Sequence, residues 1–472
     1  MMRLVKKHPL CLLFILGFIL RISLLFIDYS WDVNSYIVWA KDLRQYGFNG
    51  FYDKQSSEVY GIISPNYPPL SLFIFYLLYP LQSIIYKIAW WLNLAIPIFP
   101  SNLIFFIQER IFLAAMFKLP AIAADLGIAW LCYLFAKRIL SKNQVTEGGS
   151  LISPSSRSYR RGIFKLLIPI FILFNPAFFY NSSLWGQIDS LPIFFVLASI
   201  YFLLFSNKYL FSSILFVTAI LFKQTALIYL PIYIVFFISK YRFTNFLKAF
   251  LLSVLFFYFL FIPFLSDLKN PLLPFLIYVE KIVLNQSLPF VTNGAFNFWV
   301  LFAGFKEVKD TTLFLFGISY RMWGYIITGF FTLFILFRFT MSSLRKPRLT
   351  WRKQGSRLLD SHFRGNDNSQ NFFYATFLIS LVAFLFLTKM HERYSLLPLA
   401  FLLLATLKNQ KLLKWFVILS IISFLNHYHS WPVPKINLIF AVISNPQVVL
   451  VLSLSNVILF SYLLKKYLSF RT

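Results

Sequence analysis

Apolar runs of about 20 residues, the length of a membrane-crossing helix, recur from one end of this chain to the other. With 59% hydrophobic residues, 60 Phe and 26 Tyr among 472 residues, and a mean hydropathy of +0.71, a soluble globular fold is excluded. The runs predict an all-α polytopic membrane protein. The first of them lies in "MMRLVKKHPLCLLFILGFILRISLLFI". It has a basic flank and an apolar core, but no small-residue cleavage site precedes the acidic "DYSWD", so it reads as an uncleaved span with its N-terminus inside. Cys11 and Cys132 both fall in apolar runs, which leaves neither a disulfide framework nor a cysteine metal site.

The net charge of +28 suggests nucleic acid only until its distribution is followed. Lys and Arg collect in two long segments, 136–162 and 337–370, in the turns "SKYRF" and "LKNQKLLK", and in the tail "KKYLSFRT". Placing all of these in the cytoplasm satisfies the positive-inside rule along the whole chain, with both termini cytoplasmic and no nucleic-acid partner. The loops 137–163 and 339–370 read as solvated connectors, the second of them disordered, because Ser, Gly and Asn interrupt any helical pattern. Most acids then face outward, among them Asp28, Asp32, Asp189, Asp310 and Glu392.

This topology gives one integral-membrane domain, 1–472, in the plasma membrane. Spans are expected near 10–27, 112–136, 164–180, 191–206, 209–222, 226–239, 246–263, 322–338, 371–387, 395–407, 413–428 and 444–464. That is about 12, or 14 if the apolar stretch between Tyr67 and Ile107 crosses twice. A first external loop, 28–110, carries "VNSYIVWAKDLRQY", whose helical spacing of charged and aromatic residues predicts a helix on the membrane surface. A second large external loop covers 264–321, and within it "VTNGAFNFWV" reads either as a flap over an acceptor or as interfacial packing.

Four polar clusters sort to the outer face: "DYSWDVNSY", "NSSLWGQIDS", "FKQTA" and "TKMHERY". Each lies at the mouth of a span, where an ionisable group is costly unless paired or hydrated, so together they define the candidate site. The plainer reading of any one of them is a hydrated helix end. Asp32, just beyond the first span, suits a general base toward a hydroxyl, while Lys223, Lys389 and Arg393 suit a phosphate. A sugar carried on a lipid phosphate has a leaving group that departs as a stabilised anion. One carboxylate with several cations is then enough, in contrast to the paired carboxylates of ordinary glycoside hydrolysis. Two charges lie deeper. Arg21 and Asp125 either pair with each other, or Arg21 reaches toward Asp28 or a lipid phosphate.

The order of "SYIVWAKDL", "NYPPLSLF", "FKLPAIAADLGIAWLCYLFAKR", "FNPAFFYNSSLWGQIDS", "LFKQTALIYLP", "NGAFNFWVL" and "LTKMHERYSLLPLAFLL" resembles that of prokaryotic integral-membrane glycosyltransferases of the GT-C superfamily, in the branch related to the GPI-anchor mannosyltransferases. The likeness runs from about 10 to 428, with the two basic loops as insertions. It implies a GT-C-like bundle with interfacial helices in a long first external loop, which favours 12 spans. It also implies transfer of a monosaccharide, mannose by analogy, from a polyprenyl-phosphate donor to a glycan, glycolipid or protein acceptor at the outer face, with inversion.

On that resemblance Asp32 matches the catalytic acid, with Asp28 one turn nearer the membrane as its competitor. Asp189 would orient the acceptor sugar or a metal, Trp185 would stack on a pyranose ring, and Gln187 would bind a hydroxyl. Lys223 would lie near the donor phosphate, or snorkel to the headgroups, and Gln224 would bind substrate. In "TKMHERY", Arg393 would be the anion ligand, His391 a second donor, Glu392 a pairing partner or sugar contact, and Lys389 a further cation. No cofactor is certain from the sequence. A divalent metal is left open, although "NHYHSWP" and the remaining histidines form no ligand pattern. Two rivals share these features: a lipid-linked glycan flippase or transporter, which would show two related halves, and a glycan polymerase or ligase.

Overall fold

In the computed structural model, residues 9–58, 64–142, 156–285, 288–344 and 367–469 are described. Nearly every element is a helix. The one ladder among the described residues is a parallel pair of two-residue strands, Thr292–Asn293 beside Met390–His391. Six helical segments are long and apolar enough to cross a membrane: Pro69–Ala95, Arg110–Leu140, Gly162–Trp185, Phe243–Phe264, Tyr320–Ser342 and Pro446–Ser469. Shorter apolar helices occupy Pro9–Leu24, Ser190–Phe205, Tyr209–Phe222, Gln224–Lys240 and Asn371–Phe386. The chain is thus an all-α protein of membrane character.

The helix Arg110–Lys142 is the central pillar. Its apolar window is 67% buried, against 17% for Phe243–Phe264 and Tyr320–Ser342, which expose most of their side chains. Small residues explain the difference, because Ala114, Ala115, Ala121, Ala124, Ala129 and Ala136 let neighbours approach closely. At Gly127 the approach is tightest, and an added Cβ would lie 2.5 Å from the Phe194 ring. One turn of this helix also carries Asp125. Arg21 of the first helix reaches it at 3.0 Å, and its guanidinium further donates to the Gly17 and Leu173 carbonyls at 3.1 and 2.8 Å. Ser182 (2.7 Å) and Ser190 donate to the same carboxylate. Of the two expectations for Arg21, pairing with Asp125 is the one realised, and this network joins four helices and the turn bearing Ser182 around fully buried charges.

Several expected boundaries shift for local reasons. The span expected at 164–180 is interrupted after Leu173, where the Asn175 side chain accepts from the Ala177 amide at 3.0 Å and Pro176 opens a new turn. The span expected at 395–407 is a 3₁₀ turn, Glu392–Leu396, followed by the seven-residue helix Leu399–Ala405. Seven residues rise only about 10 Å. All seven are buried among neighbouring helices. The stretch from Tyr67 to Ile107 forms three helices, Pro69–Leu78, Leu81–Ala95 and Ser101–Gln108, with Pro80 and Pro100 at the breaks. Of the two basic loops expected as connectors, 143–155 and 345–366 lie outside the described residues, whereas their flanks, 137–142 and 156–163 in the first and 339–344 and 367–370 in the second, are helical as continuations of the neighbouring apolar helices.

The helix expected on the membrane surface forms as Trp31–Tyr46, but it is enclosed by protein, with nine of its 16 residues buried. Tyr36 stacks on Phe75 with ring centres 4.4 Å apart, and Phe48 just beyond the helix meets Phe264 at 5.3 Å. Its polar side is tied down as well. Lys41 pairs with Glu58 at 2.7 Å, and Asp42 accepts from the Ser57 amide at 3.0 Å. A rigid helix so held can fix the position of Asp32 in its first turn.

Candidate functional site

The approach of two backbones sets the geometry. A π-helical turn, Tyr180–Trp185, ends on Gly186, whose φ of +84° is open to glycine at little cost. The amides of Gly186 and Gln187 both donate to the Asn181 carbonyl, at 3.1 and 2.9 Å. A Cβ on Gly186 would lie 2.5 Å from Cγ2 of Val33, so glycine here is what lets this turn abut the helix carrying Asp32. The Ser30 amide donates to the Trp185 carbonyl at 3.1 Å and closes the junction.

Across that junction Gln187 donates through Nε2 to Oδ2 of Asp32. Arg393 Nη1 approaches the same oxygen at 3.4 Å, stands 3.5 Å from Glu392 Oε1, and through Nε faces Asp189 Oδ2 at 3.8 Å. Lys223 closes the set with a 2.6 Å contact to Asp189 Oδ1. Residues from all four polar clusters therefore meet in one place. Asp189 and Lys223 are 0% and 1% exposed in their side chains, whereas Asp32 retains 22%.

Aromatic residues line the assembly. The Lys223 ammonium lies 5.4 Å from the ring centres of both Tyr67 and Tyr394, an arrangement that offsets part of its burial. Tyr36 and Tyr67 share a hydroxyl–hydroxyl bond of 3.0 Å, and Tyr36 reaches Gln187 Oε1 at 3.4 Å. Burial raises the pKa of both phenols well above the usual value, so they act as neutral hydrogen-bonding groups.

The loop bearing Glu392 and Arg393 is held by the two-strand ladder, and by Ser395, which donates to the Glu392 carbonyl at 2.8 Å. Burial lifts the Glu392 carboxyl to about 7, against the opposing pull of Arg393. His391 goes the other way: burial first, then Arg393 and Lys223, keep its imidazole neutral well below the usual range.

Other expected residues lie elsewhere. Asp28 is a helix-end acid whose Oδ1 accepts from the Tyr29 amide at 2.7 Å. Lys389 turns away at φ +60° toward Asp310, 3.9 Å off, which Arg321 holds by two contacts of 2.8 and 2.7 Å. Trp185 is enclosed with Tyr180, Leu184 and Tyr428, its ring edge-to-face with His427. Gln224 is partly buried, and its Oε1 takes no hydrogen bond among the described residues.

The sequence reading passed over Tyr36, Tyr67, Tyr394 and Lys118. Tyr36 follows Asp32 at the i+4 spacing that places both on one helix face, a signal that was available. Lys118 is buried and donates to the carbonyls of Leu25, Asp28 and Ser183, tying the end of the first helix to the Tyr180–Trp185 turn. Among the described residues no three His, Cys, Asp or Glu side chains are grouped so as to hold a metal. Arg393 and Lys223 stand between the three carboxylates instead. The chain matches no protein-family model, and no curated protein matches it.

Proposed function

We propose that this protein is an inverting glycosyltransferase of GT-C-like architecture, with about 12 spans. It moves a monosaccharide, mannose in the simplest case, from a polyprenyl-phosphate donor to a hydroxyl acceptor at the extracytoplasmic face of the plasma membrane. The observation that carries this reading is the asymmetry of Asp32. Oδ2 is engaged by Gln187 and Arg393, Oδ1 takes no hydrogen bond among the described residues, and this acid is the most exposed of the cluster.

In the proposed step the acceptor hydroxyl gives its proton to Asp32 as its oxygen bonds to the anomeric carbon. The bond from that carbon to the phosphate oxygen breaks on the opposite face, and polyprenyl phosphate departs with the electron pair. Asp32 then returns its proton to water. Arg393 suits the phosphate because its contacts to the three acids, 3.4 to 3.8 Å, are longer than a committed charge-assisted bond of about 2.8 Å. Lys223 is already committed at 2.6 Å and serves to hold Asp189. A flippase would need no free carboxylate oxygen beside a cation.

The test uses membranes containing the native chain or Asp32→Asn, incubated with polyprenyl-phosphate mannose labelled in the sugar. Transfer should fall about 10²- to 10⁴-fold in the variant at equal protein level, the usual contribution of a general base. Equal transfer in both would remove Asp32 from this role and turn attention to Asp28 or Asp189. No transfer by the native chain would sink the donor assignment.

A further inference from the structure

The helix Leu413–Ser430 presents Ser423, Asn426, His427 and Ser430 at i, i+3, i+4 and i+7, which is one face. That face lies against the candidate site. Ser423 Oγ is 2.7 Å from Ser395 Oγ, in the turn that follows Arg393. Asn426 is bonded on both sides to the Gly294 loop, donating to the Gly294 carbonyl at 2.7 Å and accepting from the Phe296 amide at 3.0 Å. Ser430 and Glu392 both crowd the position where a Cβ on Gly294 would sit. Each of these neighbours is accounted for by packing or hydrogen bonding.

His427 differs. Its Nδ1 lies 2.5 Å from the Ser423 carbonyl, and since a carbonyl can only accept, Nδ1 carries the proton and Nε2 is a bare acceptor. Nε2 is buried and has no hydrogen-bond partner among the described residues. The residue is 0% exposed, lies edge-to-face with Trp185 at 5.7 Å, and stands one helical turn from Ser423, whose hydroxyl meets that of Ser395 two residues after Arg393. Asp189 Oδ2 and Arg393 Nε are likewise buried without a hydrogen bond.

We propose that His427 is a binding residue for the transferred sugar, accepting a ring hydroxyl through Nε2 in a subsite shared with Asp189 Oδ2 and Arg393 Nε. The mixture of atoms selects the ligand class. A phosphate offers acceptors alone and would satisfy Arg393 but neither His427 nor Asp189. A hydroxyl both donates and accepts, so a polyol ring meets all three, with Arg393 at the junction between sugar and phosphate. The inference rests on the glycosyltransferase reading and adds to it the residue that distinguishes a sugar-bearing donor from its bare phosphate.

The test measures binding of two probes, polyprenyl-phosphate mannose and polyprenyl phosphate, to the full chain in nanodiscs. Native protein, His427→Phe and His427→Gln are compared. The native chain should bind the mannosylated probe more tightly. His427→Phe should weaken that probe about 10- to 100-fold, the effect of leaving a buried hydroxyl unpaired, while polyprenyl phosphate binds as before. His427→Gln, which keeps an acceptor near the Nε2 position, should recover most of the loss. Equal weakening of both probes would mean a structural role and overturn the proposal, as would a His427→Phe protein that still prefers the sugar. A native chain that transfers sugar but binds both probes alike would sink this subsite while leaving the activity standing. A native chain that neither transfers nor binds would sink both.

Discussion

Arg393 Nη1 lies 3.4 Å from Asp32 Oδ2, so a loop near the C-terminal end of the chain and the first turn of the second helix share one charge pair. The guanidinium is shared further with Glu392 and Asp189. The rigid planar fork aims two separate nitrogens, Nη1 and Nε, at these acids, whereas an ammonium on a flexible stem presents one compact charge. Arg393→Lys should therefore fold yet lose about 10- to 100-fold in sugar transfer, the worth of one to two charged hydrogen bonds. Arg393→Gln should in addition lower the melting temperature in detergent. Full activity in the lysine variant would show that charge alone is needed.

Lys223 and Asp189 are both buried, and removing one partner of such a pair strands the other. Lys223→Met should cost about 3 kcal/mol or more of stability, toward the lower end because Arg393 Nε remains 3.8 Å from Asp189. The double variant Lys223→Met with Asp189→Leu should regain much of that loss, and with the Asp189→Leu single variant it closes a double-mutant cycle whose coupling energy is the loss of the double variant minus the two single losses. Additive losses would mean that the 2.6 Å contact does not decide the stability of this region.

Gly186 is constrained twice, by its φ of +84° and by Val33. Gly186→Ala should cost about 1–3 kcal/mol. It should also reduce transfer by up to about 100-fold, since pushing back Val33 moves the adjacent Asp32 away from Gln187. Adding Val33→Ala should restore part of the transfer but not the backbone strain. If Gly186→Ala is as active as the native chain, the turn does not position Asp32.

Six of the residues that meet at the site, Asp32, Gln187, Asp189, Lys223, Glu392 and Arg393, were legible in the sequence. A polar or charged group at the end of an apolar run is expensive wherever it lies, so its presence is a signal independent of fold. Tyr36 was legible through its i+4 spacing from Asp32, whereas Tyr67 and Tyr394 were not, because 26 tyrosines are scattered through the chain and only the fold selects these two. Lys389 was misleading for a local reason: its left-handed backbone, just before the strand Met390–His391, sends the side chain to Asp310.

Two neighbouring groups make the pH response of stability a test of the local electrostatics. Glu392 has a folded-state value raised to about 7 from an ordinary 4.5, so its contribution is fully present below 4.5 and is lost as pH rises toward 7. His391 is lowered from 6.5, so its contribution is fully present above 6.5 and is lost as pH falls from there toward its folded-state value. Between about 4.5 and 6.5 the two therefore oppose each other, and the native melting temperature should change little on their account. Single variants should unmask each slope. Glu392→Gln leaves the histidine, and its melting temperature relative to the native chain should rise from pH 5 to pH 7. His391→Asn leaves the glutamate, and relative to the native chain its curve should fall over the lower part of the same interval, up to about 6.5. Parallel curves for all three proteins would mean that neither group changes its ionisation on folding, and that the carboxyl beside Arg393 is an ordinary carboxylate.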